Sequence, residues 1–175
     1  MYKLLAITTI LIIGISTFSG CLTQGQGILV IYITDAPGGL NISEALITIT
    51  RVEVHFTAEG SAENNSSAGW KNITKEIMTF DLIKLQGIKE FLGREVLEHG
   101  RYNQIRLFVG SAYVTINGIE YNLKIPSGVI KVVKNFEIKR RYTTTLTLDF
   151  DIQMSIKSTG KNKYILQPTI KVIQE

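Results

Sequence analysis

Over most of this chain apolar residues recur at every second position, the period of a strand with one buried face. Between Leu146 and Ile156, Leu146, Leu148, Phe150, Ile152, Met154 and Ile156 alternate with Thr147, Asp149, Asp151, Gln153 and Ser155, which predicts a single strand over that range. Ile119, Tyr121, Leu123 and Ile125 repeat the pattern after Asn117-Gly118, the dipeptide best suited to a two-residue hairpin turn. That turn sets Ile116 against Ile119, Val114 against Tyr121 and Ala112 against Leu123, with Thr115 facing Glu120 and Tyr113 facing Asn122. One face of the hairpin is then apolar and the other polar.

Ile28 to Thr34 is a continuous apolar run closed by Asp35-Ala36-Pro37-Gly38-Gly39, which predicts a strand buried on both faces and then a turn. Ala45, Ile47 and Ile49 keep one phase, whereas Val52, Val54 and Phe56 keep the other. The change of inward face predicts a bulge near Thr50-Arg51. Further strands are expected at Trp70 to Ile73, Met78 to Leu82, Tyr102 to Val109, Ile130 to Ile138 and Tyr164 to Ile173, with Pro168 placing the last at an edge or bulge. Leu85, Ile88, Phe91, Leu92 and Val96 have roughly helical spacing, so one or two helical turns are expected within Ile83 to Leu97, closed by His99-Gly100. Gly87 and Gly93 argue against a long helix. The sum is an all-β protein, a two-sheet immunoglobulin-like or transthyretin-like sandwich with one short helical segment.

The N-terminus follows a different rule. Met1-Tyr2-Lys3 is cationic, Leu4 to Phe18 is mostly apolar, and Ser19-Gly20 precedes Cys21, the only cysteine among 175 residues. This is the layout of a secretory signal whose cleavage leaves a lipid-bearing cysteine. The run falls short of the ~20 apolar residues of a spanning helix. The expected division is a signal peptide over 1–20, a lipid-anchored tether over 21–27 and one β-sandwich domain over 28–175, held at the extracellular face of the membrane. An uncleaved anchor and a released product are the alternatives. With Cys21 acylated no disulfide can form, so stability rests on the apolar core.

Charge adds little. The net charge is +4, and Lys139-Arg140-Arg141 is a cluster without aromatic interleaving, which suits a solvated turn and not nucleic acid. Asn41, Asn64, Asn65 and Asn72 each open an Asn-x-Ser/Thr triplet, glycosylation candidates if the chain meets that machinery outside the cytoplasm.

Candidate chemistry is sparse. On one strand, Asp149 and Asp151 would share a face ~6.6 Å apart. They would then be solvated partners of neighbouring cations, half of a calcium or magnesium site completed by Asp35 or Asp81, or a carboxylate pair for glycoside hydrolysis. His55 and His99 lack a second ligand at zinc spacing. There is no Gly-x-Ser-x-Gly elbow, phosphate loop or dinucleotide glycine pattern. Trp70, opening an apolar strand, is expected in the core, with sugar stacking as the alternative.

Six phrases occur in a shared order: Gly27 to Pro37, Phe80-Asp81-Leu82, Gly100 to Leu107, Pro126-Ser127-Gly128, Leu148-Asp149-Phe150-Asp151 and Gln167-Pro168-Thr169-Ile170-Lys171. In this the chain resembles the domain-of-unknown-function 4382 family of secreted or lipid-anchored archaeal and bacterial proteins. The resemblance implies a surface-exposed β-rich module and brings no catalytic residues with it. The expected function is therefore a non-enzymatic binding or scaffolding module of the cell envelope. It would recognise another envelope protein or a glycan by a sheet edge or loop end. A carbohydrate-active enzyme or its accessory, and a self-assembling surface subunit, are the alternatives.

Overall fold

A computed structural model describes residues 25–36, 41–57 and 67–175. In chain order the strands are β1 Gln26–Asp35, β2 Ile42–Phe56, β3 Gly69–Thr74, β4 Met78–Asp81, β5 Glu90–Glu98, β6 Gly100–Ile116, β7 Ile119–Lys124, β8 Val129–Ile138, β9 Thr143–Phe150, β10 Ile156–Gly160, β11 Lys163–Leu166 and β12 Ile170–Gln174. A 3-10 turn, Leu82–Leu85, and one helical turn, α1 Ile152–Ser155, interrupt them.

The two longest strands, β2 and β6, pair antiparallel from Ile42↔Ile116 to Phe56↔Tyr102 and form the spine of the larger sheet. Each outer flank of this ribbon is shared by two shorter strands. β4 and β3 divide β2, while β7 and β8 divide β6. β11 and β10 continue the sheet beyond β7 to give eight strands, and the smaller sheet has the order β12-β9-β1-β5. The two sheets face each other through Leu29, Ile31, Ile33, Leu146, Leu148 and Phe150 on one side and Ile47, Ile49, Val54, Phe56, Ile105 and Leu107 on the other, all of them buried. Each such side chain contributes roughly 1.5–3 kcal/mol.

The phase change in β2 lies where the sequence places it. Register shifts fall between Thr48 and Ile49 and between Ile49 and Arg51, leaving Gly110 unpaired on β6 and Thr50 unpaired on β2. Two bulges, one on each strand, turn both inward faces together. The Asn117-Gly118 turn has φ of 51° and 77°, as a two-residue hairpin turn requires, and the pairs from Ile116↔Ile119 to Tyr113↔Asn122 match the expected register.

Four expectations need correction. The predicted strand Leu146–Ile156 ends at Phe150. α1 follows it, and β10 belongs to the other sheet. Ile152 and Ser155 are buried while Met154 is 57% exposed, so past Phe150 burial follows the helical turn and departs from the alternation in the sequence. Likewise Tyr164–Ile173 is two strands in different sheets, with Pro168 in the crossing between them. The helical spacing within Ile83–Leu97 is met by one 3-10 turn and then by β5, which pairs with β1. Gly87, at φ 76°, stops the turn, and Ile88, Phe91 and Val96 prove to be exposed. Finally β1 hides only one face completely, since Ile28, Val30, Tyr32 and Thr34 are half-buried.

β1 begins at Gln26, inside the stretch read as tether, and Gly27 packs on the turn between β8 and β9. A Cβ there would clash with the Lys139 carbonyl oxygen and lie 2.8 Å from Ile138 Cγ2. Gly27→Ala is therefore expected to lower stability by about 1–3 kcal/mol, read as a reduced urea midpoint at unchanged slope. An unchanged midpoint would show that this turn yields freely.

Candidate functional site

The aspartates fall into two places. Asp81 caps the 3-10 turn, where its Oδ1 accepts from Ile83 N and Ala45 N at 3.2 Å each and its Oδ2 meets Lys84 Nζ at 2.8 Å. Burial works to raise its pKa, but Lys84 and the two N–H donors outweigh it and hold the carboxyl below its usual value. The partners of Asp81 are thus Ile83 and Lys84 of its own turn and Ala45 of β2.

Asp35, Asp149 and Asp151 come together at the other place, where β1 and β9 end side by side. They do not share one sheet face. Asp149 lies in β9 between Thr34 and Lys171, whereas Asp151 has left the strand and caps α1, its Oδ1 accepting from Met154 N at 2.9 Å. Asp35 is 2% exposed and accepts from Ile152 N at 3.0 Å and Gln86 Nε2 at 3.4 Å. Among the described residues no group of three or more His, Cys, Asp or Glu side chains is placed to hold a metal ion. The chain crosses between sheets here twice, and the crossing is bonded throughout. Ser155 donates to Asp151 O and accepts from Thr169 N at 2.8 Å, while Gln167 N donates to Ser155 O at 2.8 Å. Asp35 and Asp151 serve as joints of the fold.

The surface with recognition chemistry is the outer face of the larger sheet, and it exists because of the paired bulges. Beyond Thr50 the outward residues of β2 are Arg51, Glu53 and His55, which oppose Phe108, Arg106 and Gln104 of β6. β8 brings Lys131 beside Arg106 and Val133 beside Gln104, and β3 brings Trp70 beside His55. Trp70 is thus not a core residue. Its ring lies 4.8 Å from that of His55, and the Arg106 guanidinium stacks 3.6 Å from its centroid. His55 Nδ1 is 3.0 Å from Asn103 Oδ1, on a residue that the β6–β8 register skips.

Arg51 stacks on Phe108 at 3.7 Å and binds Glu53 at 3.1 Å, so that carboxylate is already matched. Arg106 has no ion pair among the described residues, and its Nε, like that of Arg51, is buried without a hydrogen bond there. Val133, 78% exposed, completes the rim of a shallow hollow of about 450 Å3 shared by Trp70, His55, Asn103, Gln104, Arg106 and Asn135. Only the phase change in β2 hinted at this arrangement in the sequence, because four strands distant in the chain contribute to it.

Of the glycosylation candidates, Asn41 and Asn72 are exposed, and Asn72 pairs with Glu53 at the border of this face. Asn64, Asn65 and the proposed lipid site Cys21 lie outside the described residues.

Fold and site together define an all-β sandwich module with a cationic, aromatic sheet face. The chain belongs to the DUF4382 family, a domain of unknown function whose profile matches residues 26–168. No curated protein matches it. Among solved structures it is similar to a "putative cell adhesion protein" from Bacteroides ovatus ATCC 8483, at 9% identity and a TM-score of 0.26. That likeness covers 86% of this chain and 44% of the other, so the chain spans less than half of that protein.

Asp35 generates a prediction of its own. Burial, with repulsion from Asp151 and Asp149, pushes its carboxyl up to about 6 against the pull of Ile152 N–H and Gln86. The unfolded chain ionises near 3.8, so the fold holds the extra proton between the two values and stability falls as pH rises through that window. Asp35→Asn is expected to flatten the decline and to add about 3 kcal/mol above pH 7. Thermal melts of both chains from pH 4 to 8 check this, and parallel curves would refute it.

Proposed function

We propose that the protein is a non-enzymatic module of the cell envelope, held at the outer face of the membrane by lipid on Cys21, that binds acidic glycans on the outer face of its larger sheet. The observation that carries this is Arg106, whose guanidinium stacks on Trp70 beside a hollow of a size suited to a sugar or two. A planar guanidinium on an aromatic ring is prepared for a carboxylate or sulfate, which it meets by two parallel hydrogen bonds. Asn103, Gln104 and Asn135 offer amide donors and acceptors for hydroxyl groups around it. Arg51, Arg106 and Lys131 against Glu53 leave the face cationic.

Recognition through this face fits better than strand pairing between copies. β5, an edge of the smaller sheet, carries a bulge at Leu92, exposes Glu90, Arg94 and Glu95, and satisfies Val96 N–H with its own Glu95 carboxylate at 2.9 Å. Bulges and charges of this kind blunt an edge.

Titration calorimetry with a galacturonate oligosaccharide and a neutral maltooligosaccharide tests the proposal. The acidic sugar should bind and the neutral one should bind at least about tenfold more weakly. Trp70→Ala and Arg106→Gln should each weaken the acidic sugar about tenfold, ~1.4 kcal/mol. Equal affinity for both sugars, or indifference to both substitutions, ends the proposal.

A further inference from the structure

The point where the chain enters the sandwich is stitched to the turn between β8 and β9. Arg141 N donates to Gln26 O at 2.8 Å, Ile28 N to Tyr142 O at 2.9 Å, and His99 N to Gly25 O at 2.9 Å. His99 Nε2 in turn faces Arg140 Nη2 at 3.0 Å. Arg141 has φ of 61°, an uncommon conformation for a side chain of its kind, and those bonds hold it. Lys139, Arg140, Arg141 and Tyr142 are all exposed, Tyr142 to 68%. Glu137, the acid on the same strand, stands opposite Arg101 in the register. The loop 58–66, with Glu59 and Glu63, leaves this end at Thr57 and lies outside the described residues.

We infer that this end of the sandwich docks on anionic lipid headgroups, with Arg140 and Arg141 as the contacting cations and Tyr142 at the interface. The inference rests on the lipid anchor at Cys21 proposed above. Only residues 21–24 separate that anchor from Gly25, at most ~14 Å of extended chain. A reach so short keeps the cations near a Debye length, ~8–10 Å, from the headgroups, where basic residues and acyl chains act together. An exposed tyrosine is suited to the boundary between apolar and wet phases. The arrangement also aims the Trp70–Arg106 face sideways, with Gln104 ~10 Å above Arg101 along β6.

The test uses the processed, lipidated protein in vesicles of phosphatidylcholine alone or with about one-third phosphatidylglycerol. Iodination of Tyr142 is followed by peptide mass. On anionic vesicles labelling should be about tenfold slower than on neutral ones. The protection should vanish near 1 M salt, where screening acts within ~3 Å. It should also vanish in Arg140→Gln with Arg141→Gln, whose melting temperature confirms that the variant is folded. Equal labelling on both vesicles overturns the docking while leaving the anchor intact, and an N-terminal peptide with unacylated Cys21 overturns the anchor and the docking together.

Discussion

The pair of opposed bulges at Thr50 and Gly110 is the constraint on which the molecule depends. β2 and β6 are each long enough to cross the whole larger sheet, and a strand of constant phase would turn Val52, Val54 and Phe56 outward along half its length. One extra residue on each strand rotates both inward faces together and preserves the ladder on either side. The apolar sets from both halves then meet the same smaller sheet. The same rotation sends Arg51, Glu53 and His55 to the opposite side, so core and recognition face arise from a single event.

A second constraint acts where the chain changes sheets. β9 ends in the smaller sheet, α1 turns it into β10 of the larger, and Gln167 to Thr169 bring it back to β12. Each change of direction exposes backbone groups that must be answered inside the protein. Asp35 at the end of β1, Asp151 at the cap of α1 and Ser155 within it answer them with short side chains. A buried carboxyl is a costly way to do this, and its raised affinity for a proton is the consequence. Acidity in these motifs therefore serves the joint.

The two proposed surfaces are related through β6. Its first residues sit beside the chain entry and the basic turn, and within a few residues it supplies Asn103, Gln104 and Arg106 to the sheet face. Positive charge is thus arranged in two places with different geometry. At the turn the cations are exposed to solvent. On the sheet face Arg106 is fixed by stacking on Trp70, suited to one directed anion. Position along a single strand separates the basic turn from the Trp70–Arg106 face.

By itself the sequence determined what local periodicity and turn chemistry can determine. The all-β class, the Asn117-Gly118 hairpin with its register, and the face change near Thr50 were all written in spacing, because each depends on residues near in the chain. Tertiary structure alone decided that Leu146–Ile156 breaks at Asp151, since the written alternation runs on through Met154 although the helical turn buries Ser155 in its place. It decided that Glu90–Glu98 is a strand, because pairing with β1 outweighs weak helical spacing around two glycines. It moved Trp70 out of the core by setting β3 on the outer flank of β2, and it set Arg106 over that ring from a strand thirty-odd residues away. A side chain's face is fixed by its own strand, but its neighbours are fixed by which strands lie alongside, and that pairing is a property of the whole chain.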